Sequence, residues 1–352
     1  MILRFLPGTG EDVVQEVKLS LESAGMYTVR SGETERPILA LIGKLPAALR
    51  KDLERHPAIE ERIPPRGEQL LVQRNFRCSP SIVSLGRRGE VQVGGPAVVV
   101  IAGPCSVEGR EAVLEIAQHV RRAGAHILRG GAFKPRTSPY AFQGLGVEGL
   151  RQLKDAGVAV GLPVISEIMD ASDLPAFLDH DIDCLQIGAR NMQNFTLLKS
   201  VARAGVPVML KRGLAATVDE WLAAAEYLCA GGAQVMLCER GIRTFEKATR
   251  NTLDLTVLPL LREWTHLPIL VDPAHAAGIA SIIPPLSRAS VAAGADGVAV
   301  EVHMNPRQAF SDGPQALLPG ELVRIVAEAR IMAAATGRRL HDDPRGRTQR
   351  AQ

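Results

Sequence analysis

From about residue 97 the chain keeps a regular beat: short runs of valine, isoleucine and leucine, separated by longer amphipathic stretches. The runs cover residues 97–102, 125–129, 160–166, 184–188, 207–211, 234–239, 268–272 and 297–302. Between them, stretches such as 110–122, 171–178, 217–229 and 322–335 carry helical spacing, and Thr217 with Glu220 makes a capping-box start. Apolar runs that do not alternate with polar residues suit strands buried on both faces, as in a parallel sheet. Eight such units over roughly 240 residues match a (β/α)8 TIM barrel in count and length. A doubly wound sheet is the alternative.

The first ninety or so residues break this beat. Strands are expected over 1–6, 26–30, 37–42 and 58–63, and helices over 11–23 and 46–54. The order β-α-β-β-α-β is the ferredoxin-like α+β pattern. Residues 82–85 and 91–93, around Gly86-Arg87-Arg88-Gly89, read as a hairpin leading into the barrel. The predicted organisation is therefore a ferredoxin-like domain over 1–80, a hairpin over 81–95, a barrel over 96–337 and a polar, mobile tail over 338–352.

Composition narrows the partners. A net charge of +3 with no long Lys/Arg run, and 4% aromatic residues, argue against nucleic acid and against a membrane surface. No apolar stretch is long enough to span a bilayer, and Met1–Pro7 turns polar too early for a signal peptide. Five cysteines without CxxC spacing or a paired framework suit a reducing cytoplasm.

A TIM barrel places its chemistry on the loops that follow the strands. Here nearly every strand end carries ionisable residues. Cys105 follows the first run, and Arg129, Lys134 and Arg136 the second. Glu167, Arg190 and Lys211-Arg212 follow the next three. Glu239, Arg240 and Arg243, then Asp272 and His275, then Glu301 and His303 follow the last three, and Asp312 lies in the final loop. Two sets separate by chemistry. Arg129, Lys134, Arg136, Arg190, Lys211, Arg240 and Arg243 form a cationic bowl, more charge than one carboxylate needs, which suggests two phosphorylated ligands. Cys105, His275, Glu301 and Asp312 offer sulfur, nitrogen and oxygen to a divalent metal, although their spacing alone is not diagnostic. Taken singly, each is also compatible with a core or surface role.

Six ordered motifs carry a resemblance. They are Gly103-Pro-Cys-Ser-Val-Glu108, Lys134-Pro-Arg-Thr-Ser138, Ile187-Gly-Ala-Arg190, Leu210-Lys-Arg-Gly213, Cys238-Glu-Arg-Gly241 and Ser311-Asp-Gly-Pro-Gln315. Together they resemble 3-deoxy-D-arabino-heptulosonate 7-phosphate (DAHP) synthases of type I, in the subgroup with a ferredoxin-like front domain. The resemblance implies condensation of phosphoenolpyruvate with erythrose 4-phosphate, the first step of the shikimate pathway. It implies one divalent metal ion (Mn, Fe, Co or Zn) on Cys105, His275, Glu301 and Asp312. It matches Arg129, Lys134, Arg190, Lys211 and Arg240 to phosphoenolpyruvate, and Lys134, Arg136 and Thr137 to the aldose phosphate. Glu167 falls near the reacting carbons, and Lys134 is the candidate proton donor. The resemblance also implies a homotetramer and feedback by tyrosine or phenylalanine at the front domain.

One stretch departs from that family. It usually shows Pro-Ser-His-Gly-Thr-Gly around the ligand histidine, where this chain has Pro273-Ala274-His275-Ala276-Ala277-Gly278. If the position of Ala276 needs a left-handed backbone, strain of about 1 kcal/mol is expected there. A shifted efficiency or substrate preference would follow, as in a paralogue of secondary metabolism. The alternative activity is 3-deoxy-D-manno-octulosonate 8-phosphate synthesis from arabinose 5-phosphate. Those relatives typically insert Ala-Asn between the lysine and arginine that are tight here at Lys134-Pro135-Arg136. A non-catalytic barrel is the third reading, disfavoured by the intact ligand set.

Overall fold

The structure, a computed structural model, describes residues 1–31, 35–67 and 69–341. By its contacts the chain divides into two units: Met1–Ser81 with Arg262–His266, and Ile82–Leu261 with Leu267–Gln352.

The first unit contains β1 (Ile2–Phe5), α1 (Glu11–Ser23), β2 (Tyr27–Arg30), β3 (Ile38–Ile42), α2 (Ala47–Arg55) and β4 (Ile59–Ile63). The antiparallel sheet runs β2-β3-β1-β4, the ferredoxin-like arrangement. Alternation along β1 sends Leu3 and Phe5 to one face, where they meet Val14, Val17 and Leu21 of α1 and Leu39 and Leu41 of β3. The segment Arg262–His266 joins this unit through long-range pairing. Thr265 bridges Gln73, and the His266 ring contacts Ser81 Oγ at 2.7 Å and the Leu71 carbonyl at 2.7 Å. No local pattern marks such a distant attachment, and the sequence reading ended this unit at residue 80 without it.

The second unit opens with the hairpin β5 (Val83–Leu85) and β6 (Val91–Val93). Eight parallel strands follow: β7 (Ala97–Gly103), β8 (Ile127–Arg129), β9 (Val164–Ile168), β10 (Cys184–Ile187), β11 (Val208–Lys211), β12 (Val235–Glu239), β13 (Ile269–Val271) and β14 (Gly297–Glu301). They pair in sequence order, and β14 closes onto β7. The intervening helices are α3 (Arg110–Ala123), α4 (Gly146–Val160), α5 (Leu174–Asp179), α6 (Phe195–Ala202), α7 (Val218–Ala230), α8 (Val257–Trp264), α9 (Pro273–Ala277), α10 (Ile283–Ala292) and α11 (Pro319–Ala335). The molecule is thus a TIM barrel with an antiparallel front module. The capping box at Thr217 is present: its hydroxyl accepts from Glu220 N, and Glu220 Oε2 accepts from Thr217 N.

Two local expectations are corrected and a third, the hairpin, is extended. The third apolar run was expected as strand over 160–166, but Val160 ends α4 and β9 begins at Val164, because left-handed Gly161 stops the helix. The hairpin is more than a lead-in. Val83, Leu85, Val91 and Val93 pack with the inward residues Val99, Ile127, Ile165, Cys184, Met209, Met236 and Leu270, so they plug the N-terminal end of the barrel. The expected mobile tail is held over its first residues. Arg339–Leu340 forms β15 beside the start of β7, and Arg338 donates to Asp296 Oδ1 at 2.7 Å. Residues 342–352 lie outside the described part.

Candidate active site

The four residues read as a metal set converge. Cys105 follows β7, Glu301 ends β14, His275 sits in α9, and Asp312 lies in the loop beyond β14. One ligand atom from each falls within 4.8 Å of the others. Cys105 Sγ is 3.3 Å from Asp312 Oδ2. His275 Nε2 is 3.5 Å from Glu301 Oε1 and 3.7 Å from Asp312 Oδ2.

Local structure aims each group. Gly103 lets the chain pass the end of β8, because a Cβ there would strike the Arg129 carbonyl. Asp272 caps α9, accepting from His275 N at 2.9 Å, and Pro273 occupies the first helical position. The other oxygen of Asp272 lies 2.8 Å from His275 Nδ1 and 2.5 Å from Lys211 Nζ. Burial opposes ionisation of Asp272, but His275 and Lys211 outweigh it and hold the carboxyl well below its usual range. A carboxylate only accepts, so Nδ1 carries the proton and Nε2 turns its lone pair to the cluster. Burial lowers the His275 pKa against the pull of Asp272 and Glu301. Asp312 adopts a left-handed backbone, φ 53°, uncommon for a residue other than glycine.

These residues fit a divalent cation. Glu301 is wholly buried, and its Oε1 has no hydrogen-bond partner. Arg129 Nη1 approaches that oxygen to 3.1 Å as an ion pair, yet its N–H is not aimed there, so the nitrogen is unpartnered too. An orphaned carboxylate oxygen beside an imidazole lone pair, a thiol and a second carboxylate is a natural cation seat. Burial, then Glu301, pushes the Cys105 thiol up to about 12 despite Lys134 Nζ at 3.1 Å. A divalent metal held there would supply positive charge that favours the thiolate.

Beside the cluster lies a cavity of about 330 Å³. Its cationic lining is Lys134, Arg136, Arg190, Lys211, Arg240, Arg243 and Arg250, joined by Thr137, Glu167, Asn251, His275 and Asp312. Glu167 accepts from Gln186 Nε2 at 2.8 Å, and Gly188 leaves room for its carboxylate. Two basic groups are turned elsewhere. Arg129 lies beneath, against Glu301, and Arg212 points away to Glu239 at 3.0 Å and Asp254 at 2.9 Å. A wall of cations beside a candidate cation seat, open at the C-terminal ends of barrel strands, suits joining two anionic molecules.

The pattern described as the DAHP synthetase I family matches residues 80–335. The chain belongs to that family. It is 43% identical over 338 residues to the phospho-2-dehydro-3-deoxyheptonate aldolase of Thermotoga maritima, spanning 96% of this chain and 99% of that one. The crystal structure of the Thermotoga maritima enzyme, also called DAHP synthase, superposes with a TM-score of 0.75 at 42% identity, covering 96% of this chain and 98% of that one. A truncated form of it gives 0.71 at 44% identity, over 77% of this chain and 98% of that one. Similarity extends to the 2-dehydro-3-deoxyphosphooctonate aldolase of Acidithiobacillus ferrooxidans, 33% identical over 64% of this chain and 87% of that one.

Within this DAHP synthetase I member, two polar cavity residues escaped the sequence reading. Arg250 and Asn251 lie well past the end of β12, where no strand-end pattern reaches. The cluster Thr249-Arg250-Asn251 on a Gly-free polar stretch was the only signal available. The expected strain at Ala276 is absent, since the residue lies inside α9 with ordinary helical geometry. The left-handed position is Gly278 (φ 71°), which caps that helix. Among the described residues, the membrane reading finds no helix long and apolar enough to cross a bilayer. Cys184 and Cys238 are buried inside the barrel, as core residues.

Proposed function

We propose that this DAHP synthetase I member joins phosphoenolpyruvate to erythrose 4-phosphate. The observation that carries the reading is the cavity in which seven cationic side chains face the Cys105–His275–Glu301–Asp312 cluster. Two dianions repel, and Lys134, Arg136, Arg190, Lys211, Arg240 and Arg243 would neutralise and orient them, largely an effect of proximity. C3 of phosphoenolpyruvate attacks the aldehyde carbon, water adds at C2, and the hemiketal expels inorganic phosphate. Cys105, His275, Glu301 and Asp312 would hold one divalent metal, which supplies Lewis-acid polarisation of the aldehyde oxygen. Lys134 would donate a proton to the forming alkoxide or to the departing phosphate, a role supported by its Nζ lying 2.8 Å from the Cys105 carbonyl and 3.1 Å from its sulfur beside the cluster. Glu167, which lines the cavity, would be a carboxylate near the reacting carbons in this reading. The uninterrupted Lys134-Pro135-Arg136 segment favours the four-carbon aldose.

Phosphate release is the test. Purified protein is mixed with phosphoenolpyruvate and either erythrose 4-phosphate or arabinose 5-phosphate, with and without a chelator. Turnover with erythrose 4-phosphate, lost to chelator and restored by Mn, Fe, Co or Zn, supports the reading. Turnover with arabinose 5-phosphate alone overturns the substrate assignment, and no turnover with either overturns the activity.

For the front module we propose a regulatory role, binding tyrosine or phenylalanine in a homotetrameric, cytoplasmic enzyme of the shikimate pathway. The supporting observations are that the module has its own core and that the residues of the candidate site all lie outside it. A chain starting near Ser81 is expected to lose inhibition by both amino acids. Full retention of inhibition would remove the proposal.

A further inference from the structure

The two carboxylates of the cluster share an arrangement that no strand-end motif encodes. Each presents one oxygen to the cluster and has its other oxygen tied off. Asp312 turns Oδ2 towards Cys105 and His275, while its Oδ1 accepts from Arg250 Nη1 at 3.1 Å. Glu301 turns Oε1 towards His275, while its Oε2 accepts from Gln315 Nε2 at 2.5 Å. The two restraints are joined, because the same Arg250 nitrogen also donates to Gln315 Oε1 at 2.9 Å. One chain of hydrogen bonds, Asp312–Arg250–Gln315–Glu301, therefore occupies both outer oxygens.

Arg250 is in turn fixed to the element that carries the imidazole. Its backbone N donates to the Ala277 carbonyl at 3.0 Å, and Asn251 N to the Ala276 carbonyl at 2.8 Å. Asn251 Nδ2 reaches the His275 carbonyl at 3.0 Å. Three of the four cluster residues thus answer to one short segment, and the left-handed backbone of Asp312 is held from its side-chain end.

We infer that Arg250 and Gln315 form a positioning couple that restricts Asp312 and Glu301 to one metal-facing oxygen each. The inference rests on reading the cluster as a metal site. A carboxylate with both oxygens free can close on a cation in a two-oxygen fashion, and a small, soft-leaning site of four donors would then become a crowded, oxygen-rich one. The couple keeps the donor set at one sulfur, one nitrogen and two oxygens. Removing the charge of Arg250 also frees the outer oxygen of Asp312, whose remaining contacts, Cys105 and His275, all lie on the cluster side.

The test uses the full chain, Arg250→Met and Gln315→Leu, titrated with Mn2+ and Co2+ in the absence of substrates. Wild type is expected to bind one ion per chain, and each variant to bind about 10- to 100-fold more weakly, the range typical when the outer hydrogen bonds of ligands are lost. The visible spectrum of the Co2+-loaded protein separates positioning from general damage. Its thiolate-to-cobalt band is expected to persist in both variants while the d–d bands shift, reporting a changed oxygen set on an intact sulfur. Unchanged affinity and d–d bands in both variants, with metal bound to wild type, overturn this inference alone. Absence of any Mn2+ or Co2+ binding to wild type overturns it together with the metal reading.

Discussion

The two ends of the barrel are built from the same eight strands and have opposite chemistry. At the N-terminal end Val83, Leu85, Val91 and Val93 of the hairpin pack onto Val99, Ile127, Met209 and Leu270, with almost no polar atoms among them. At the C-terminal end Arg129, Lys134, Lys211, Glu239, Asp272 and Glu301 are all buried, most of them in ion pairs. Buried charges cost several kcal/mol each to dehydrate and recover that only through well-aimed partners. The plug carries no such cost and adds apolar burial at about 25 cal/mol per Å². The comparison teaches a division of labour: one end holds the cylinder shut, and the other tolerates strain and crowded charge for the sake of chemistry.

Substitutions at the two ends should therefore separate activity from stability. The largest effect is expected from His275→Asn, with turnover down ~1,000-fold or more, on the order of 4 kcal/mol in the barrier. The melting temperature, followed by calorimetry, should move by only a few degrees. Turnover within tenfold of wild type would break the assignment. Lys134→Met is next, expected to slow single-turnover formation of product by ~100-fold or more at saturating substrates. An unchanged single-turnover rate excludes it as proton donor.

Leu85→Ala is the mirror experiment. Leu85 is 1% exposed in the plug, and its truncation should cost ~2–5 kcal/mol in denaturant unfolding. KM for both substrates should stay put at temperatures where the variant is folded. A changed KM with unchanged stability would erase the contrast between the ends. Smallest is Thr217→Ala, which removes the α7 cap and should cost ~1 kcal/mol of stability, read as a shift in the denaturant midpoint.

The barrel was legible because its signals are local. Eight apolar runs give the strands, and the residues next to each run fall at the mouth by construction. That is why Cys105, His275 and Glu301 stand out at strand ends, with Asp312 in the last loop, and why most of the cavity's cationic lining is visible in the sequence. What depends on the third dimension was not legible. Arg250 reaches Asp312 and Gln315 across 62 and 65 residues of sequence, from a loop whose pattern promises nothing. The hairpin shows its alternation in sequence, but nothing there says that it closes an end. Ala276 looked strained only because a glycine is usual at its position, whereas the helix geometry asks nothing special of it.

The short strand Arg339–Leu340 lies against Ala97 and Val98, where the cylinder begins. Arg339 N donates to the Pro96 carbonyl at 3.1 Å, so the segment that follows α11 is stitched to the segment that leads into β7. The start and the finish of the barrel segment share a single seam. An extra module appended at that seam leaves every strand–helix repeat uninterrupted, which makes the seam the natural port for evolutionary additions and for circular permutation.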